Sequence, residues 1–193
     1  LAREADLSLE EAIVRTMSRL HGAFSLVIMD ERTLFGVRDP HGVRPLCVGR
    51  LPTGWVIASE TAALDIVGAT LVREVDPGEV VVIDERGLRS RRFAPATPHL
   101  CVFEYVYLAR ADSTIAGRSV HQVRRTLGAA LAREAPADAD LVIPVPDTAM
   151  SAAGGYAEES GIPYGEGLMK NRYVGRTFIQ PSQTMRQLGI RIK

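Results

Sequence analysis

Leu34-Phe35-Gly36-Val37-Arg38-Asp39-Pro40-His41-Gly42-Val43-Arg44-Pro45-Leu46-Cys47-Val48 sets a short apolar run on each side of a polar Pro-His-Gly turn. Such runs, bounded by turn residues, are the signature of paired strands. The signal repeats outward: residues 23–29, 34–37, 46–48, 55–58, 69–75 and 80–83 are short runs rich in apolar or β-branched side chains. Asp30-Glu31, Pro52-Thr53-Gly54, Asp76-Pro77-Gly78 and Arg86-Gly87 punctuate them. The pattern predicts an antiparallel sheet. Upstream, Ser8-Leu9-Glu10-Glu11 has the form of a capping box, in which Ser8 and Glu11 satisfy each other's backbone amides. Leu9, Ala12, Ile13, Thr16, Met17 and Leu20 then share one face, so a helix is expected to begin here and end near His21-Gly22. A short helix is expected over residues 61–67. Arg38, Asp39 and Arg44, so close to turn residues, predict ion pairs that fix the hairpin.

The 193 residues carry 23 acidic and 23 basic side chains, and 46% are hydrophobic. This composition describes a soluble globular chain long enough for one large core or two small ones. A net charge of zero argues against a dedicated nucleic-acid binder, which as a rule carries a basic excess. No apolar run approaches the roughly 20 residues that span a bilayer, so a membrane partner is not expected. The opening Leu1-Ala2-Arg3-Glu4-Ala5-Asp6 has no initiator Met, and acidic residues where an export signal has basic ones. A cytoplasmic protein, and an internal piece of a longer one, is therefore expected. Cys47 and Cys101 are too few for a disulfide framework, and the four histidines show no zinc spacing. Cys47, in a strand, reads as a small buried hydrophobe.

Phe93-Ala94-Pro95-Ala96-Thr97-Pro98 has the composition of a linker, which predicts a boundary between a domain of residues 1–94 and one of residues 95–193. Residues 101–113 read as a core segment with a charged exit. Residues 119–134 read as a helix with Val120, Val123, Leu127 and Leu131 on its apolar face and Arg124, Arg125 and Arg133 opposite. Leu141-Val142-Ile143-Pro144-Val145-Pro146 reads as a buried parallel strand ending in Asp147-Thr148, where open α/β sheets hold ligands. A crossover helix is expected over residues 148–160, its amino end offering N–H groups to an anion, with a further strand near residues 164–169. Beyond Glu166 there is no acidic residue, while Lys170, Arg172, Arg176, Arg186, Arg191 and Lys193 are basic. Charge runs are most often solvated surface. Here a strand end, a helix amino terminus and a cationic segment coincide, which points to phosphate. Gly175, Pro181 and Gly189 predict a mobile loop rather than a helix.

The Arg38 to Leu46 turn, a following strand, and Ala58-Ser59-Glu60-Thr61-Ala62-Ala63-Leu64 resemble the later half of the glutaminase domain of class II glutamine amidotransferases. Asparagine synthetases and glucosamine-phosphate synthases carry related segments. Phe103-Glu104-Tyr105-Val106-Tyr107, Ala109-Arg110 and Asp112-Ser113, then Val142 to Thr148, then Lys170-Asn171-Arg172-Tyr173-Val174-Gly175-Arg176-Thr177-Phe178-Ile179, resemble in this order the amidophosphoribosyltransferase family. The likeness covers essentially the whole chain. The fold it implies is α+β and α/β: the later half of an N-terminal-nucleophile αββα sandwich, then the first part of a type I phosphoribosyltransferase α/β domain.

The resemblance implies a glycosyltransferase and glutamine amidotransferase that converts phosphoribosyl pyrophosphate (PRPP), glutamine and water to 5-phosphoribosylamine, glutamate and pyrophosphate in purine biosynthesis. It assigns Lys170, Arg172, Tyr173 and Arg176 to a loop that closes over PRPP, with Lys170 also near inhibitory nucleotide sites. It assigns Tyr107 to the contact between the two active sites and Thr148 to magnesium. Cys101 matches a ligand of the 4Fe-4S cluster in the iron–sulfur subgroup, although members without the cluster carry the cysteine too. Purine nucleotides as feedback inhibitors and a homo-oligomeric state are implied as well. The chain departs from the family at Leu1, because the glutaminase needs an N-terminal cysteine nucleophile. The family's paired-aspartate floor for the ribose phosphate is also missing. The polypeptide alone is therefore expected to be inactive, a fragment of a roughly 500-residue enzyme. The alternative is a catalytically dead nucleotide-binding module that pairs with a complete subunit.

Overall fold

In a computed structural model of the chain, which describes residues 1, 4 and 6–193, the Ser8 hydroxyl accepts from the Glu11 amide at 3.3 Å. The Glu11 carboxylate accepts from the Ser8 amide at 3.2 Å. The capping box thus starts α1 (Leu9–Met17). Strands β1 (Ser25–Met29), β2 (Leu34–Arg38), β6 (Glu79–Asp84) and β7 (Gly87–Arg92) form one antiparallel sheet in the order β1-β2-β6-β7. Strands β3 (Cys47–Leu51), β4 (Gly54–Ala58) and β5 (Thr70–Glu74) form a second, in the order β4-β3-β5, with α2 (Thr61–Ile66) between β4 and β5 in sequence. The expected sheet is therefore two sheets.

Side-chain alternation explains the layering. Phe35, Val37, Val80 and Val82 point to one face of the first sheet and pack on Ile13 and Met17 of α1. Val81 and Ile83 point to the other face and meet Leu46, Val48 and Val75 from the second sheet. Cys47 faces outward again, onto Leu64 of α2. The layers run helix, sheet, sheet, helix. Strand β7 was not expected, because Gly87-Leu88-Arg89-Ser90-Arg91-Arg92 lacks an apolar run; Arg89 pairs instead with Asp84 at 2.8 Å and with Glu10.

The hairpin residues act differently from the expectation. Arg38 is 5% exposed and donates to three carbonyl oxygens, Val75 at 2.7 Å, Arg44 at 2.9 Å and Gly42 at 3.0 Å. Asp39, fully buried, accepts from the amides of Phe24 and His41. The pair holds the turn through backbone groups, because buried carbonyls and amides left unpaired would cost more than an exposed ion pair returns.

The chain divides into two compact units, Leu1–Val120 and His121–Lys193. Residues 95–120 pack with the first. The amides of Thr97, His99 and Cys101 donate to the carbonyls of Pro40, His41 and Val43 at 2.8, 2.7 and 3.3 Å, which lays the proline-rich segment along the turn. A π-helical turn, Glu104–Leu108, follows. Glu60 accepts from the Arg110 amide and the Ser113 hydroxyl, and Thr61 accepts from the Thr114 amide, which begins the short hairpin of β8 (Thr114–Ile115) and β9 (Arg118–Ser119). Glu104 is 1% exposed, with Oε1 2.9 Å from Arg44 Nη1 but outside hydrogen-bond alignment. Burial pushes its carboxyl above the usual range, with Arg44 opposing and Glu60 reinforcing.

In the second unit, α3 (Val120–Glu134) lies against α4 (Met150–Ser160). The expected faces of α3 are corrected in part: Val120 is buried as expected, but Arg124 is 3% exposed and Ala132 is buried, while Leu127 and Leu131 are 43% and 53% exposed. Backbone proximity is the reason. A Cβ on Gly128 would sit 1.9 Å from the Ala152 carbonyl oxygen, and one on Gly155 would sit 2.0 Å from that of Arg125. The helices cross where only glycine fits, and this turns the small-residue stripe inward. Arg125 with Glu158, and Arg133 with Glu159 at 2.9 Å, pair across the crossing. Finally, α5 (Gln183–Ile192) occupies part of the stretch expected to be loop. Ser182 is its cap, accepting from the Met185 amide at 3.3 Å. Gly189 lies inside it, where a Cβ would meet the Thr177 methyl at 2.8 Å.

Three outcomes follow from this packing. Gly128→Ala should lower the stability of the protein by about 1–3 kcal/mol, read as an earlier thermal transition, despite alanine's better helix propensity. Glu104→Gln should gain stability relative to the parent as pH rises from 4.5 into the neutral range, and show no gain at more acid pH. The sign follows from the raised folded pKa, since ionisation of the buried carboxyl is harder folded than unfolded. Cys47, buried and donating to the Ala58 carbonyl, has its thiol pushed up to about 11. It should therefore alkylate at pH 8 at least about a hundredfold more slowly than an unperturbed cysteine, followed by peptide mass spectrometry.

Candidate functional site

The segment from Leu141 to Pro146 leads to the site as an extended strip rather than as the buried strand expected. A parallel bridge joins Val142 to Tyr164, with the Val142 amide donating to Pro163 at 2.8 Å and the Gly165 amide donating to Val142 at 2.9 Å. Pro144 and Pro146 have no amide to extend the ladder, and Leu141, Ile143 and Val145 stay exposed. The expected strand near residues 164–169 is likewise reduced to that bridge.

The strip ends in a turn holding Asp147 and Thr148, and α4 starts two residues later, at Met150. Lys170 returns to this point and donates from Nζ to Asp147 Oδ2 at 2.7 Å. Lys170 above all holds the Asp147 carboxyl below the usual carboxylate range, and Arg172 adds to the effect. A cavity of about 460 Å³ lies between Pro144, Pro146 and Asp147 on one side and residues 168–173 on the other. Its charged members are Asp147, Glu166, Lys170 and Arg172.

The basic loop is anchored rather than free along its length. Asn171 donates from its side chain to the Ile192 carbonyl at 3.0 Å, so it satisfies a carbonyl in the last turn of α5. Arg186 donates to the Gln180 carbonyl at 2.9 Å. Between these anchors Tyr173 is 98% exposed and Arg176 is also exposed.

Of the residues singled out in the sequence, Lys170, Arg172 and Tyr173 line the same cavity; Arg176 lies further along the loop and Thr148 in the turn. Tyr107 is half exposed on the π-helical turn of the first unit, its ring 5.8 Å from that of Phe103. Cys101 is partly buried in the same unit. Sequence reading noted Asp147 at the strand end but not its pairing with Lys170, because the two are 23 residues apart and no periodicity links them. It also missed α5, although Ser182 ahead of Met185, Leu188 and Ile192 was a usable signal.

The donor chemistry separates the two implied cofactors. The Asp147 carboxylate and the adjoining Thr148 hydroxyl are hard oxygen donors, the kind magnesium takes beside substrate phosphates, so these residues fit it. A 4Fe-4S cluster is held by about four thiolates. The cysteines of this chain are Cys47 and Cys101, and Cys47 is buried on α2. Among the described residues no group of three or more His, Cys, Asp or Glu is placed to hold a metal. Of the two cysteines, Cys101 is the one not buried, so this chain would bring one thiolate to such a set. No helix among the described residues is long and apolar enough to cross a membrane.

Comparison with known proteins agrees with this architecture. Residues 4–66 match a family described as a glutamine amidotransferase domain. The amidophosphoribosyltransferase of Mycobacterium tuberculosis is 66% identical over 189 residues, covering 98% of this chain and 36% of that protein. That of Bacillus subtilis is 48% identical over 194 residues, covering 100% of this chain and 41% of that protein. A solved structure, the B. subtilis glutamine PRPP amidotransferase complexed with ADP and GMP, superposes with a TM-score of 0.89 at 48% identity, covering 100% of this chain and 42% of the other. The fold of two antiparallel sheets between helices is thus that of an N-terminal-nucleophile glutaminase domain, continued by an α/β segment. The chain spans 36–42% of the length of these relatives, and it belongs to the amidophosphoribosyltransferase family.

Proposed function

We propose that this chain supplies the loop and strand-end side of the PRPP site, with part of the glutaminase half, of an enzyme making 5-phosphoribosylamine, glutamate and pyrophosphate from PRPP, glutamine and water. The observation that carries the reading is the cavity at Asp147, closed on its far side by Lys170, Arg172 and Tyr173. As the bond from C1 of the sugar to pyrophosphate breaks, negative charge accumulates on the leaving group. Cationic donors fixed beside it stabilise that charge more than they stabilise the ground state. The Lys170 ammonium acts as a point charge on a flexible stem, while Arg172 and Arg176 offer planar forks that match phosphate oxygens. Magnesium, held by Asp147 and Thr148 with the substrate, would supply further charge neutralisation. Tyr173, standing out from the loop, is suited to cover the sugar and exclude water, which competes with ammonia for C1. We assign Tyr107 to the contact with the glutaminase site on the resemblance alone.

Purine nucleotides are proposed as inhibitors, supported by the ADP and GMP in the B. subtilis relative's structure. The regulatory-module alternative is not favoured, since the matching relatives are named as the enzyme itself. Replacing Lys170, Arg172 and Arg176 together by alanine in the full gene product should weaken PRPP binding at least about tenfold, because each charge-assisted contact is worth about 1.5–3 kcal/mol. Ammonia-dependent formation of phosphoribosylamine should fall with it. Unchanged affinity and turnover would remove the basis for this function.

A further inference from the structure

We propose that Asp147 is an exchange residue. With the cavity empty its carboxylate parks the Lys170 ammonium. When a pyrophosphorylated substrate enters with a divalent cation, Asp147 releases Lys170 to the anion and takes the cation in its place. The inference rests on the substrate reading above and adds a role for Asp147 that neither the motifs nor the resemblance assigns. Asp147 is here a positioning residue for Lys170.

Charge balance is the first argument. The cavity is lined by two carboxylates, Asp147 and Glu166, and two cations, Lys170 and Arg172, so its charged side chains sum to zero. A pyrophosphate group entering alone would meet both carboxylates and find Lys170 already engaged at 2.7 Å. A like charge within a few ångströms disfavours binding unless something neutralises it. Pyrophosphate accompanied by a divalent cation meets less opposition, because the cation takes Asp147 and the anion takes Lys170, which leaves Glu166 as the one opposing carboxylate of the lining. Two opposite-charge contacts replace the one that is lost.

The pair is also built to be exchanged. Its side chains are 35% and 58% exposed, so the ion pair is of the weak, solvent-screened kind. The neighbouring Asn171 stays tied to the end of α5 through the Ile192 carbonyl. Lys170 can therefore change partner by rotating its four-carbon stem, without any requirement that the backbone leave its anchor. Thr148, next to Asp147, supplies a second hard oxygen for the incoming cation.

The test uses trypsin, which cuts after Lys170 only when that side chain is released, on the full gene product, with the Lys170–Asn171 cut followed by mass spectrometry. Without ligand, Asp147→Asn should be cut about two- to fivefold faster than the parent, the factor that loss of an exposed ion pair allows. In the parent, inorganic pyrophosphate or PRPP should protect the bond only when magnesium is present. In Asp147→Asn, protection by either should no longer depend on magnesium, and Asp147→Glu should restore the dependence. Circular dichroism establishes that the variants are folded. Equal cutting of parent and Asp147→Asn without ligand overturns the parking contact. Faster cutting with magnesium dependence unchanged overturns the exchange. Faster cutting of the variant, with neither protein protected by pyrophosphate or PRPP at any magnesium concentration, overturns the PRPP reading and the exchange with it. Protection by pyrophosphate but not by PRPP leaves the exchange standing and overturns PRPP as the substrate.

Discussion

The first unit depends on one buried guanidinium. Arg38, at the end of β2, binds the carbonyls of Gly42, Arg44 and Val75, and thereby ties the first sheet to the loop that enters β3 and to the end of β5. A buried cation is tolerated only when its donors are satisfied, and carbonyl oxygens around a planar fork satisfy them without placing a second charge in the interior. Glu74 stands 3.7 Å away and supplies the counter-charge at the edge. With the turn held this way, the carbonyls of Pro40, His41 and Val43 accept the amides of Thr97, His99 and Cys101. The extended segment, the π-helical turn and the β8–β9 hairpin are therefore fixed by contacts that begin at Arg38.

The second unit is governed by a different constraint, the closeness of two helix backbones. Gly128 and Gly155 leave no room for a side chain between α3 and α4, and the ion pairs of Arg125 and Arg133 align the helices along the crossing. A helix with alanine and glycine on its buried stripe gains less from apolar area than from dispersion across a close contact. Leucines 127 and 131 then point elsewhere, and an apolar face read from periodicity alone mistakes them for the core.

The site is assembled from segments with little regular structure. Two prolines stop the ladder after Val142, which leaves Asp147 and Thr148 at the start of a helix rather than inside a sheet. Both ends of the basic loop return to α5, since Asn171 is held by the Ile192 carbonyl in its last turn and Ser182 caps its first.

The sequence by itself determined the capping box at Ser8, the strand and turn rhythm from Ser25 to Asp84, the short helix after Glu60, the inert character of Cys47 and the cationic loop around Lys170. Each is a local property, set by neighbouring residues whose backbone preferences and polarity agree. The tertiary structure alone decided that the strands divide into two sheets, that the polar Gly87–Arg92 run pairs as an edge strand, that Arg124 rather than Leu127 faces inward, and that Lys170 rests on Asp147. Those outcomes depend on groups far apart in the chain, where close backbone approach and the need to satisfy buried charges override periodicity, and no local pattern records which partner lies opposite.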